Sequence, residues 1–103
     1  MNEKDVESYL VDGVRKLGGR AYKFTSPGNA GVPDRLVCLP GGLIYFVETK
    51  APGKTERKLQ TKVQEQLRAL GCIVFGSVDS CHAVDELLRY WRMLLGKEDD
   101  DAV

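Results

Sequence analysis

The sequence has few of the residues from which many catalytic and metal centres are built. Its 103 residues include one histidine, one tryptophan and three cysteines. The cysteines (Cys38, Cys72 and Cys81) are scattered, odd in number and without C-x-x-C spacing, which argues against a disulfide framework or a zinc site. The lone His82 gives no support to serine–histidine or cysteine–histidine catalysis. We therefore expect reduced thiols in a cytoplasmic protein.

Long apolar runs and a net charge are also missing. No stretch approaches the ~20 apolar residues that cross a bilayer, and the N-terminus lacks the apolar core and small-residue cleavage site of a secretory signal. We therefore expect no membrane association. Because the formal net charge is zero, composition alone indicates no polyanionic partner.

The charge is nevertheless unevenly distributed. The last seven residues, "KEDDDAV", hold four acids and one lysine, and without them the chain carries 14 basic and 11 acidic residues. A chain of this length usually forms one domain with a modest core. We therefore predict a single domain over residues 1–96, followed by an acidic, disordered tail over 97–103.

Apolar periodicity and turn residues predict seven elements. Apolar residues recur at helical spacing before Gly18, and "RLVCL" and "LIYFVET" flank "PGG" as in a hairpin with a three- to four-residue loop. "CIVFGSV" is almost wholly apolar, as expected for a strand that is covered on both faces. The predicted order is α-β-β-β-α-β-α, an α/β domain with a mixed β-sheet flanked by helices.

The predicted last helix is strongly apolar. For a terminal element its apolar surface is expected to exceed what a small domain covers. This pattern predicts a homodimer. The stripe consists of Val84, Leu87, Leu88, Trp91, Leu94 and Leu95.

Two acids are expected to meet at one end of the hairpin. Asp34 begins one strand and Glu48 lies near the end of its antiparallel partner, so folding at "PGG" brings them side by side. Two neighbouring carboxylates repel each other unless a positive charge lies between them. A divalent cation with hard oxygen ligands, Mg²⁺ with Mn²⁺ as a substitute, would supply that charge.

Lys50 follows Glu48 by two residues and is expected on the same face of the strand, while the Thr49 side chain points away. The Thr49 backbone carbonyl could add a metal ligand. The Lys50 ammonium could orient or deprotonate an attacking water, or stabilise charge growing on a phosphate. These groups together suit hydrolysis of a phosphodiester.

The motifs "GVPD" and "VETK" look like the PD-(D/E)-x-K nuclease signature. The longer pattern "GVPDR…FVETKAPG…LQ…LRALG" resembles the virus-type replication-repair nuclease (VRR-NUC) family, particularly its small stand-alone phage members, over about two-thirds of the chain. The resemblance implies a restriction-endonuclease-like core that cleaves DNA with a divalent metal. It also implies preference for branched, flapped or four-way DNA, a homodimer, and the cytosol of a bacterium or phage-infected host.

The resemblance also implies site roles. Asp34 and Glu48 become metal ligands, Lys50 the catalytic lysine, and Gln60 the glutamine that follows E-x-K. Gln60 shares a helical face with Val63, Leu67 and Leu70, so an inward-facing amide could bind a metal water or phosphate. The family's first-helix glutamate matches either Glu3 or Glu7. Glu7 is one turn deeper and is slightly favoured.

A basic run leaves the E-x-K strand and enters the next helix. We expect it to contact DNA phosphates without reading sequence, so binding would depend on salt. Lys23 and Arg35 are expected on the same surface. The candidate DNA-binding residues are Lys23, Arg35, Lys54, Arg57, Lys58 and Lys62.

Two other functions remain open at this point. One is a DNA-binding module that has the nuclease fold but little turnover. The other is a hydrolase of nucleotides or other small phosphate esters, for which the sequence offers no cluster of base-reading residues. Because all the residue types needed for cleavage are present, the sequence favours a structure-selective endonuclease.

Overall fold

The computed structural model describes residues 1–97 and has the predicted order of elements. Helix α1 begins after an Asn2 cap, whose side chain accepts from the Asp5 N–H while Asp5 caps the Asn2 N–H in return. The predicted fold class, a mixed sheet flanked by helices, is confirmed. The elements are α1 Glu3–Lys16, β1 Arg20–Lys23, β2 Arg35–Leu39, β3 Leu43–Thr49, α2 Lys58–Ala69, β4 Val74–Val78 and α3 Cys81–Leu94.

The sheet has four strands in the order β1-β2-β3-β4. The first three are antiparallel and β4 runs parallel to β3. The β2–β3 hairpin closes through three residues, as predicted, because Leu39 pairs with Leu43 and both Gly41 and Gly42 have positive φ. Strand β3 therefore lies inside the sheet, bonded on both sides.

The expectation that β4 is covered on both faces is met in part. Phe75 packs against Trp91 of α3 and Gly76 lies against Gln64 of α2, but Ser77 is exposed. β4 is also an edge strand, because it ends the strand order of the sheet. Ser77 also has a positive φ of 54°.

The main core lies on one face of the sheet, beneath α1 and α3. Trp91 is fully buried there, and its ring packs against Tyr45 at 5.4 Å and Phe75 at 6.1 Å between centroids. The helix stripe predicted for α3 is partly correct, since Leu94 is half exposed. The buried members of this stripe are Val84, Leu87, Leu88 and Trp91.

Helix α2 covers the opposite face with a different kind of surface. Its buried side chains are two glutamines, Gln60 and Gln64. Leu70, which was predicted to share the inward face, is 81% exposed because it lies at the end of the helix. The polar face of α2 leaves part of the sheet open to solvent.

Two predictions concern the ends of the chain and membranes. Within residues 1–97 no helix is long and apolar enough to span a bilayer. The predicted acidic tail lies outside the described residues except for Lys97, whose Nζ donates to the Leu17 carbonyl at 3.0 Å.

Gly19, between α1 and β1, is a position where a side chain cannot be accommodated. A Cβ there would lie 2.5 Å from the Cys38 carbonyl oxygen and 2.8 Å from Leu39 Cδ2. We expect Gly19→Ala to lower the free energy of unfolding by about 2–3 kcal/mol in urea titrations, since backbone must move. Gly41→Ala is the control: it faces open space and is expected to cost about 1 kcal/mol from its positive φ. Equal losses would contradict the steric argument.

Candidate functional site

The Asp34 carboxylate lies at one end of the β2–β3 strand pair. Its Oδ1 accepts from the Thr49 N–H at 2.7 Å, and its Oδ2 accepts from Thr49 Oγ1 at 2.5 Å. Burial raises the pKa of Asp34 to about 6, although the two bonds from Thr49 act to lower it. The nearby Glu7 adds to the rise. The carboxylate is held firmly, and its negative charge is not fully compensated.

Both candidate glutamates of α1 lie beside Asp34. Carboxylate oxygens of Glu3, Glu7 and Asp34 all fall within 4.8 Å of one another. Glu3 and Glu7 are one helical turn apart, so they project from the same face of α1. The sequence offered them as alternatives, whereas the structure brings both to Asp34.

Arg35 is directed towards α1. Its guanidinium donates to Glu7 Oε2 at 3.0 Å and to the Ala21 carbonyl at 3.2 Å, and its side chain is 15% exposed. Burial alone would raise the pKa of Glu7, but the bonds from Arg35 and Asp34 outweigh it and the pKa falls below its ordinary value. Arg35 therefore holds Glu7 in place, unlike the exposed cations with which the sequence grouped it.

A second group of polar side chains lies on the α2 face of the sheet. Gln60 donates to Glu48 Oε2 at 3.2 Å and accepts from Lys50 Nζ at 2.8 Å and from the Arg57 N–H at 2.9 Å. Lys50 Nζ is also 3.7 Å from Glu48 Oε2. The inward orientation predicted for Gln60 is observed, and its amide fixes Glu48 and Lys50 relative to each other.

The two groups interact electrostatically. Glu48 is 4% exposed, and burial raises its pKa to about 7, with the Asp34 charge adding to the rise and Lys50 opposing it. Asp34 thus lies close to Glu3 and Glu7, and its negative charge also raises the pKa of Glu48. Buried carboxyls with raised pKa values at one end of a sheet are typical of functional sites, although Glu48 lies outside the group that Asp34 forms with Glu3 and Glu7.

The Thr49 side chain, which was expected to point away from Glu48 and Lys50, contributes to the site through Asp34. Thr49 does lie on the opposite sheet face from Glu48 and Lys50, as alternation requires, but Asp34 is turned towards it. Asp34 precedes β2 rather than belonging to it, so strand alternation does not fix its direction. Thr49 is fully buried, and its hydroxyl is also 3.5 Å from Glu7 Oε1.

A third set of contacts was missed from the sequence. Gln64 Nε2 donates to Glu56 Oε2 at 2.6 Å, and the same oxygen accepts from the Ser77 N–H at 3.1 Å. These bonds tie the loop before α2 to the edge strand β4. The available signal was the four-residue spacing of Gln60 and Gln64, which places two amides on one helical face.

The remaining predicted DNA-binding cations are exposed around these groups. Lys23 lies on β1 opposite Arg35 and contributes to lowering the pKa of Glu7. Lys54 is in the turn after β3, and the others are at the start of α2. The exposed set is Lys23, Lys54, Arg57, Lys58 and Lys62.

Comparisons with known proteins show which family this chain resembles. A protein named "Putative nuclease p44", from Acyrthosiphon pisum secondary endosymbiont phage 1, is 53% identical over 81 residues, which cover 77% of this chain and 87% of the phage protein. A solved structure described as a VRR_NUC domain superposes with a TM-score of 0.79 at 34% identity, covering 86% of this chain and 96% of that one. No protein-family profile matches the sequence.

The chain belongs to the VRR-NUC family. The predicted family and its restriction-endonuclease-like fold are thereby confirmed, and VRR-NUC membership assigns the chain to the nucleases.

The VRR-NUC site has a donor set that fits a divalent cation. Its acids supply hard carboxylate oxygens, which Mg²⁺ and Mn²⁺ prefer. The raised pKa values of Asp34 and Glu48 show that their negative charges lack full compensation within the protein. A cation at this end of the sheet would compensate these negative charges.

The titration of Glu48 predicts a pH-dependent effect on stability. Because its folded pKa of about 7 lies above its ordinary value of 4.5, ionised Glu48 destabilises the fold. The penalty is absent below pH 4.5 and complete above about 7. In chelator-treated protein, we expect Glu48→Gln to gain stability relative to the native chain as pH rises from about 5 to 8, by about 2 kcal/mol.

Urea unfolding at several pH values measures this difference. The control is Glu65→Gln, which removes the same charge from the exposed surface of α2. A difference between Glu48→Gln and the native chain that is constant over this pH range would contradict the burial argument.

Proposed function

We propose that the protein is a divalent-metal-dependent DNA endonuclease that hydrolyses phosphodiester bonds in branched, flapped or four-way structures. The observation that carries the proposal is the buried Glu48–Gln60–Lys50 set adjoining the Asp34 carboxylate. A lysine, an amide and acids with undercompensated charge are the groups that a phosphodiester and a cation together would satisfy.

Asp34 and Glu48 would hold the metal, with help from Glu7, Glu3 and the Thr49 backbone carbonyl. When bound, Mg²⁺ or Mn²⁺ supplies charge neutralisation at the phosphate and a lower pKa for an attacking water. The protein contributes the positions of the ligands. Thr49 fixes Asp34 through two hydrogen bonds, and Arg35 fixes Glu7.

Lys50 is the proposed catalytic cation. Its Nζ is held by Gln60 Oε1 at 2.8 Å, and its side chain is 12% exposed. An ammonium fixed in this way can orient a water or stabilise negative charge that grows on the phosphate oxygens, without reorganising during the reaction. Gln60 therefore acts on catalysis through the position of Lys50 and Glu48.

DNA would be held by the five exposed cations around the site, Lys23, Lys54, Arg57, Lys58 and Lys62. Lysine and arginine side chains on loops and helix ends bind phosphates independently of base sequence. Selectivity would then come from the shape of the DNA, and affinity would fall steeply with salt.

A homodimer is part of the proposal, because two symmetry-related sites suit two strands of a branched substrate. Helix α3 carries three exposed apolar side chains at helical spacing, Tyr90, Met93 and Leu94. Light scattering at micromolar concentration tests for the homodimer, and a monomer at all concentrations would contradict this part of the proposal. Met93→Glu should dissociate a dimer that uses α3.

One assay tests the activity itself. Labelled duplex, nicked, flap and four-way DNA are incubated with Mg²⁺, with Mn²⁺ and with chelator. Internal cleavage of branched substrates only with metal supports the proposal. Binding without cleavage in either metal would favour a DNA-binding module of nuclease fold, and turnover of free nucleotides alone would favour a small-molecule phosphohydrolase.

A further inference from the structure

An open groove lies on the α2 face of the sheet, where the polar inner surface of α2 leaves aromatic side chains uncovered. Its volume is about 450 Å³, and its floor includes Phe24, Phe46 and Val63. The two phenylalanine rings meet edge to face with centroids 5.3 Å apart, and each ring is half-buried. Leu59 on the wall is 48% exposed. Apolar and aromatic surface is therefore accessible within a concave site.

The groove adjoins the nuclease site. Phe46 and Glu48 project from the same face of β3, about 7 Å apart along the strand. On the other side, the Phe24 N–H donates to the carbonyl of Asp34 at 2.8 Å. A phosphate at the carboxylates would place the base of a neighbouring nucleotide within reach of the two rings.

The rim of the groove is polar and carries a cation. Lys62 lies at the edge together with the amides of Asn29 and Gln66. The amides offer both donors and acceptors, and the lysine complements a phosphate. Aromatic rings beside a positive rim are the combination by which proteins hold single-stranded nucleic acid.

The outer wall is fixed in position. Asn29 Nδ2 donates to Ser26 Oγ at 3.0 Å within the 24–32 segment. Gly31 lies directly against α2, since a Cβ there would come 2.9 Å from Leu59 Cγ and 3.1 Å from the Leu59 carbonyl oxygen. The groove is therefore formed before any ligand binds.

We propose that this groove binds the unpaired nucleobase next to the scissile phosphate, stacked against Phe24 and Phe46. The inference rests on the proposed DNA-cleaving function and adds to it a reason for selecting branched or flapped DNA. In a continuous duplex every base is stacked and paired, so placing one in the groove costs unstacking energy. At a junction or flap that cost is small, and the site accepts the substrate. A volume of about 450 Å³ is within the range of small-ligand sites and accommodates a base with its sugar.

Single abasic nucleotides, scanned through the junction of a flap substrate, test the proposal. Affinity is measured with Ca²⁺ in place of Mg²⁺, and kcat/KM with Mg²⁺. For the native chain, an abasic residue at one position is expected to weaken binding about tenfold. Phe24→Leu should weaken binding of the intact flap by a similar factor. It should have no further effect on the abasic flap, because the stacking partner is already gone.

Phe75→Leu is the matched control. Phe75 is also a half-buried aromatic residue of the sheet, but its ring packs on the α3 face against Tyr45 and Trp91. We expect this variant to keep the native tenfold discrimination between intact and abasic flaps.

The outcomes separate the groove from the activity. Cleavage that is indifferent to every abasic position would overturn the groove and leave the nuclease proposal standing. Position-specific discrimination in binding without cleavage in Mg²⁺ or Mn²⁺ would support the groove and overturn the nuclease proposal. If Phe24→Leu weakens both flaps equally and also dissociates a dimer, the groove is a protein interface. Absence of binding to any DNA would overturn both.

Discussion

Replacing Lys50 with methionine is expected to reduce metal-dependent DNA cleavage by about 10³-fold, a loss typical of removing one positioned charge from a transition state. Methionine keeps much of the buried aliphatic stem and deletes only the ammonium group. Gln60 Oε1 still accepts from the Arg57 N–H, so α2 keeps its first hydrogen-bonded turn. Single-turnover cleavage of a flap substrate measures the loss.

Two further variants sharpen this result. Lys54→Met removes an exposed cation and should lower affinity and the salt dependence of binding with little effect on the single-turnover rate at saturation. Lys50→Arg should fail to restore cleavage, because a planar guanidinium cannot occupy the position of a compact ammonium between Gln60 and Glu48. Cleavage by Lys50→Met at the native rate would show that the assignment is incorrect.

Asp34→Asn is expected to have opposite effects on activity and stability. Cleavage should fall by about 10³-fold together with metal affinity, since the neutral amide is a poor ligand for Mg²⁺. Metal-free protein should become more stable at pH 8 by about 1 kcal/mol, because burial penalises the ionised carboxyl, whose pKa is raised to about 6. The amide can still pair with Thr49, whose hydroxyl both donates and accepts.

Isothermal titration with Mg²⁺ and Mn²⁺, and thermal unfolding in chelator, measure the two effects of Asp34→Asn. Asp12→Asn is the control: this aspartate pairs with Arg15 on the exposed side of α1, and its loss should change neither quantity by much. Unchanged metal affinity in Asp34→Asn would mean that Asp34 is not a ligand. A loss of metal-free stability would contradict the burial argument.

The fold could be predicted from the sequence because local signals agreed with the global arrangement. Apolar spacing gave α1, and "PGG" gave the hairpin that places Asp34 and Glu48 at one end of adjacent strands. Alternation along β3 correctly put Glu48 and Lys50 on one face. Gln60 was recognised because an amide stood where an apolar residue was expected.

Other features depended on contacts between distant segments. The direction of Asp34 is set by Thr49, and the partner of Arg35 is a glutamate on α1, 28 residues earlier in the chain. Neither can be read from strand or helix periodicity. The roles of Glu56 and Gln64 were missed for the same reason, since Glu56 Oε2 accepts both from Gln64 and from the Ser77 N–H in the edge strand.

The attachment of α2 by amide side chains has a consequence for motion. Its buried residues, Gln60 and Gln64, contribute hydrogen bonds, each worth about 1 kcal/mol net, whereas α1 and α3 are anchored by a continuous apolar core. We expect native-state hydrogen exchange to release the amides of α2 well before those of β3, which is bonded on both sides. Glu48 on β3 and Lys50 directly after it would then keep their positions while α2 opens locally and carries Gln60 away from them. DNA could enter or leave without unfolding of the domain.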